Sequence, residues 1–220
     1  MSRKLIFALS LTLLLLAGAR SRAGMVLTEW MYDSPDGEFM EFTNFSNDPI
    51  DLTNWSQDDN TRTAGKHAFG STFGTIAPGE SIIVTDAAAA TFRTAWNLPA
   101  SVKVFGAYIN DSLGRSDEVN LYDNTSAIID RLTYNDQGIG TVAGPRTSGA
   151  SGNIPVGALG LNSASLAVLS SVADSYQSYA STGGAVGNPG RYTPFVPEPS
   201  SLALLVIGTL VTAFRRRRHT

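Results

Sequence analysis

The 220 residues include no cysteine and only two histidines, His67 and His219, which excludes disulfide frameworks, thiolate metal centres, cysteine nucleophiles and histidine-rich metal sites. With 16% charged residues and 21 glycines, the chain is too apolar to be disordered and too glycine-rich for a helical bundle, so a β-rich domain is expected. The formal net charge of −3 hides a division, because residues 24–196 alone hold 8 basic and 18 acidic residues, a net −10; such a body repels phosphate, and nucleic acid is excluded as a partner.

The first 23 residues read as a signal peptide. Arg3 and Lys4 precede an apolar run from Leu5 to Ala17, and small-x-small patterns follow at Ala17-Gly18-Ala19 and Ser21-Arg22-Ala23. The apolar run is too short to span a bilayer, which takes about 20 residues.

From Val26 to Tyr134 the chain breaks into short segments rich in β-branched and aromatic residues, divided by Asp, Asn, Gly and Pro. Strands are predicted at Val26 to Met31, Glu38 to Asn44, Ile50 to Trp55, Ser81 to Asp86, Val102 to Ala107, Glu118 to Asp123 and Ala127 to Tyr134. The tetrapeptide Asp123-Asn124-Thr125-Ser126 is a hairpin turn whose Asx side chains can bond the backbone. One helix interrupts the series: Asp86 is placed to cap a run that carries Phe92 and Trp96 on one face and ends before Pro99. That face is expected over an open end of a sandwich. Residues 137–165 hold seven glycines and one charge, Arg146. Leu159, Leu161, Leu166, Val168 and Leu169 then point to a last pair of strands or an ordered crossover. The domain is drawn as 24–182, and residues 183–199, with four prolines, as an extended spacer.

Residues 200–220 comprise a short apolar helix and Arg215, Arg216, Arg217 and Arg218. Four arginines hold that end in the cytoplasm, since positive charge stays inside. Pro197, Glu198 and Pro199, the single apolar helix and the arginine cluster, in that order, resemble the PEP-CTERM sorting signal of exported bacterial proteins. The resemblance implies membrane anchoring through a single transmembrane helix, processing by an exosortase partner near Pro197-Glu198-Pro199, and transfer to the cell surface or extracellular matrix.

A second resemblance covers residues 25 to 192. The strings Glu29-Trp30-Met31-Tyr32, Gly37-Glu38-Phe39-Met40-Glu41-Phe42-Thr43-Asn44 and Ile50-Asp51-Leu52-Thr53-Asn54-Trp55 are similar to the opening of lamin-tail-like domains. Ile76-Ala77-Pro78-Gly79-Glu80, Asp117 to Asp123, Ile129 to Tyr134 and Gly187-Asn188-Pro189-Gly190 resemble later elements of the same family. This likeness implies an all-β, immunoglobulin-like β-sandwich, which agrees with the strand count. It brings no catalytic set.

The search for chemistry is correspondingly spare. His67, the one histidine of the body, lies in Thr63-Ala-Gly-Lys66-His67-Ala68 without a nucleophile-elbow pattern and reads as an exposed loop residue. Glu38 and Glu41, three apart on one strand, point to opposite faces and cannot work as a pair. Glu29 and Glu41 could approach across strands, and the family resemblance assigns them to a hydrogen-bonding framework. Two acidic loops, Asp33 to Glu38 and Gln57 to Asn60, are the candidates for calcium, although neither fits a spaced Asp-x-Asp-x-Asp-Gly loop. Trp30 and Trp55 read as core; Tyr32, Tyr108, Tyr176 and Tyr179 are freer to stack on a sugar. No catalytic, cofactor or metal residue is assigned. The sequence reading is a non-enzymatic surface or matrix module with extracellular polysaccharide as a candidate partner; the alternative is a secreted hydrolase or calcium-dependent carbohydrate-binding protein.

Overall fold

The computed structural model describes residues 24–108 and 112–192. The signal peptide, Pro197 to Pro199, the apolar segment after them and Arg215 to Arg218 lie outside the described residues. Among the described residues no helix is long and apolar enough to cross a membrane.

Two sheets form the framework. The first has six strands in the order β12 (Val168–Leu169), β11 (Gly152–Asn153), β1 (Met25–Met31), β2 (Phe39–Asn44), β7 (Ser81–Thr85) and β8 (Lys103–Phe105). All neighbours are antiparallel except β7 and β8, which run parallel. The second sheet orders β10 (Ile128–Asn135), β9 (Ser116–Tyr122), β4 (Ser56–Asp58) and β5 (His67–Ala68). Two short ladders complete the set: β3 (Ile50–Asp51) with β6 (Thr75–Ile76), and β13 (Tyr179–Ala180) with β14 (Val186–Gly187).

The period of two decides what each face touches. Met40 and Phe42 on β2, and Ile82 and Val84 on β7, point into the main core with Trp30, Val119, Leu121, Leu132 and Tyr134. Phe39, which precedes Met40, and Ile83, between Ile82 and Val84, join Met31 in a second apolar cluster on the opposite face. That outer face is covered by the helix α1 (Ala89–Ala95). Phe39 meets Phe92 and Trp96 edge-on, with ring centroids 5.5 and 5.7 Å apart. Phe92 and Trp96 do share a face, as their spacing predicts, but it packs on the sheet surface and not over an open end of the sandwich.

Several local expectations are corrected. Asp86 makes no side-chain cap, because the helix starts after Ala88. The strand expected through Trp55 stops at Asp51: Asn54 adopts a left-handed φ of 62°, a conformation Asn tolerates in turns. Trp55 is nonetheless buried. His67 lies in β5, half-buried, its ring 5.1 Å from that of Tyr108. The Asp123 turn is as predicted, its Oδ1 accepting from the amides of Thr125 and Ala127 and from the Thr125 hydroxyl. The glycine-rich stretch supplies β11, and β12 follows from the leucine-rich segment. Residues 183–192, placed with the spacer, pack as part of the domain.

Candidate functional site

Glu29 on β1 and Glu41 on β2 are direct partners across the ladder, and neither has any exposed surface. They lie on the outer face of the six-stranded sheet, beneath the β13–β14 hairpin and the chain that follows it. Three of their four oxygens are hydrogen-bonded, and Glu29 Oε2 is buried without a hydrogen-bond partner. Glu29 Oε1 accepts from the Asn188 amide at 2.9 Å and from the Ser151 hydroxyl, and Glu41 Oε2 accepts from the Gly190 amide at 2.8 Å. Glu41 Oε1 accepts from the Thr28 hydroxyl at 2.7 Å. Asn188 extends the network through its side chain, accepting from Asn153 Nδ2 and donating to the Arg191 carbonyl. The two acids therefore clasp Gly187 to Arg191 against the sheet. A side chain at 187 would crowd the clasp, since a Cβ there would stand 2.8 Å from Glu29 Oε1.

Burial is the main force on both groups, because ionised carboxylates lose their hydration there. It pushes Glu29 well above the usual carboxylate range, with the charge of Glu41 adding to the effect. Burial likewise raises Glu41 to about 7, against the pull of the Thr28 and Gly190 donors. Acids held in this way, without exposed surface and bonded to the Asn188 and Gly190 amides, fasten the closing segment to the sheet.

The remaining candidates are also committed to the fold. Glu38 receives the Tyr108 hydroxyl at 2.6 Å and the Leu113 amide at 2.8 Å, and burial raises it to about 7. In the acidic loops, Asp33 accepts from Ser148, Asp36 from Ser181 and the Gly183 amide, and Asp58 from Thr61 and the Thr63 amide. Lys66 Nζ stands 3.5 Å from Asp58. Among the described residues no group of three or more His, Cys, Asp or Glu is arranged to hold a metal ion. Glu118 takes a two-pronged bond from Arg62, at 2.6 and 2.8 Å, which holds it down at about 2.

The aromatic candidates divide. Tyr32, Tyr108 and Tyr176 are buried, contrary to their reading as freer residues, with Tyr32 bonded to Asp136 and stacked on Tyr134. Tyr179 is half-buried, its hydroxyl bonded to the Trp96 carbonyl. It lines a cleft of about 500 Å³ with Leu98, Val102, Thr182 and Arg191. No local pattern announces this cleft, because helix, hairpin and closing segment meet only in the folded chain.

The Lamin Tail Domain family model matches residues 19–136, more than half of the chain. The chain belongs to the Lamin Tail Domain family. The two-sheet framework is the immunoglobulin-like sandwich that the family resemblance implied, and the matched region contains every strand from β1 to β10. Residues beyond 136 add β11 and β12 to one edge and the hairpin and closing segment to the outer face. The PEP-CTERM protein-sorting motif matches residues 195–218. The lamin-tail protein is accordingly exported, anchored in the membrane and then processed by an exosortase. No curated protein matches the chain.

Proposed function

We propose that the exported body is a non-enzymatic structural or adhesion module of the cell surface or extracellular matrix. One observation carries this reading: the acids best placed to act as a pair, Glu29 and Glu41, are fully buried and bonded to the domain's own closing segment. Catalysis by two carboxylates needs them on either side of a substrate, with room for the scissile bond between them. The sorting motif supports the location. Incubating the purified protein with a panel of extracellular polysaccharides tests the reading: retention without product release is expected, and turnover of any polymer would overturn it.

A secreted carbohydrate-binding role is the second reading, favoured by the cleft that Tyr179 and Arg191 line. In that case replacing the exposed Arg191 by Glu would abolish retention on the polysaccharide that binds best. Unchanged retention would place the contact elsewhere.

A further inference from the structure

Tyr192, the last described residue, is tied to the body: its hydroxyl donates to the Ile154 carbonyl at 2.7 Å, and its ring stands 5.4 Å from Phe45 and 6.2 Å from Tyr176. The sorting motif begins at residue 195, so only Thr193 and Pro194 separate it from this anchor. Fully stretched, the chain from Tyr192 reaches at most about 11 Å to Phe195 and about 18 Å to Pro197. A domain of about 170 residues is roughly 40 Å across. An enzyme that holds the chain at the motif therefore works against the surface of the body, and more free chain is needed to clear it.

Asn188 to Tyr192 can supply that chain. No strand or helix falls within it, so its opening leaves every ladder paired. Pro189 and Tyr192 are its only apolar side chains. What holds it otherwise is polar: the Asn188 amide on Glu29, the Gly190 amide on Glu41, and the Asn188 side chain between Asn153 and the Arg191 carbonyl. Segments with few buried apolar contacts open locally, at a free energy below that of global unfolding. Release of Asn188 to Tyr192 adds about 17 Å of reach, which about doubles the length of free chain before Pro197.

We propose that this closing segment is an autoinhibitory strap: while Glu29, Glu41 and Ile154 hold it to the body, the sorting motif lies too close for the exosortase to engage it, and local release of the strap sets the rate of processing. The bond cut and its chemistry belong to the enzyme, and the chain contributes only reach. When opening and closing are fast relative to cleavage, the rate follows the fraction of molecules with the strap open. The acid clasp thereby has a role besides stability, because it times the passage from the anchored to the processed form.

Pulse-labelling of the full chain in the exporting cell measures how fast the form intact through Arg218 is converted to the shortened form. Inserting Gly-Ser-Gly-Ser-Gly-Ser between Tyr192 and Thr193, outside both the body and the matched motif, supplies the missing reach and should raise the rate at least about threefold. Asn188→Ala removes the side-chain bonds to Asn153 and the Arg191 carbonyl, and Phe45→Ala removes the ring beside Tyr192 from a site far from the motif in sequence. Each should accelerate processing of the chain without the insertion, and neither should add to the effect of the insertion. Val119→Ala, in the buried core of β9, is the control for general loosening and should leave the rate unchanged. The insertion alters no contact of the body, so its result stands even where a variant fails to fold. An insertion without effect, unchanged rates in both closing-segment variants, effects that add to the insertion, or equal acceleration in the control would each overturn the proposal.

Discussion

Glu29 and Glu41 face each other across the β1–β2 ladder with no exposed surface, and between them they accept the backbone amides of Asn188 and Gly190. Two acids from the start of the domain thus fix its last segment. Both are raised by burial, so between about pH 4.5 and 7 the folded chain keeps protons that the unfolded chain has released. Glu38, raised to about 7, adds to the same trend.

Stability should therefore fall as pH rises from 5 to 8. Each such group contributes a slope of about 1.4 kcal/mol per pH unit where it alone differs between the two states. Urea titrations at pH 5, 6, 7 and 8 measure the trend. Glu41→Gln should flatten it, because glutamine has no proton to lose, and an unchanged profile in this variant would remove Glu41 from the account.

At the acid end the sign reverses. Arg62 holds Glu118 down at about 2, so the stability this pair supplies is present above pH 4.5 and lost as pH falls toward 2. Arg62→Ala should lower the unfolding midpoint only slightly at pH 7, because the Arg62 side chain is 56% exposed and solvent screens the pair. The loss should shrink at pH 3, where the ion pair is already weakening. Thermal unfolding of both proteins at the two pH values measures this difference.

Gly187→Ala should destabilise the domain by about 2 kcal/mol, the range for an added methyl in a filled site. The new Cβ would sit 2.8 Å from Glu29 Oε1 and 3.0 Å from Ser151 Oγ. Because the disturbance falls on the clasp, amide exchange at Asn188 and Gly190 should accelerate more than exchange in β9. Uniform acceleration would instead indicate general loosening.

Processing provides a prediction outside the folded body. Mass spectrometry of the surface or medium fraction should find a C-terminus near Val196 to Pro199, and replacing Pro197, Glu198 and Pro199 by alanine should leave the chain intact through Arg218 in the membrane fraction. An unaltered cut in that variant would place recognition elsewhere in the motif matched at 195–218.

Much of the framework is legible in the sequence because local chemistry sets it. Alternation in Phe39 to Phe42 and in Ile82 to Val84 assigns each residue its face, and Asp123 closes a turn with atoms only a few residues away. The sorting signal is legible for the same reason, being read as linear chain. A strand of two residues such as β5 leaves no period to detect, so His67 reads as a loop residue in the sequence. The turn at Asn54 broke a strand that composition alone would have continued.

What only the tertiary structure decided is the meeting of distant segments. Nothing near Gly187 to Arg191 announces that these residues lie on Glu29 and Glu41, about 150 residues earlier. A glycine- and proline-rich run reads as spacer until buried acceptors are brought under its amides. In the same way Tyr32, Tyr108 and Tyr176 look available in sequence and are buried in the fold. The sequence by itself determined the export route, the acidic body and the alternation that builds a sandwich. The packing of helix and hairpin on the outer sheet face and the acid clasp follow from long-range contacts, whose partners no local pattern specifies.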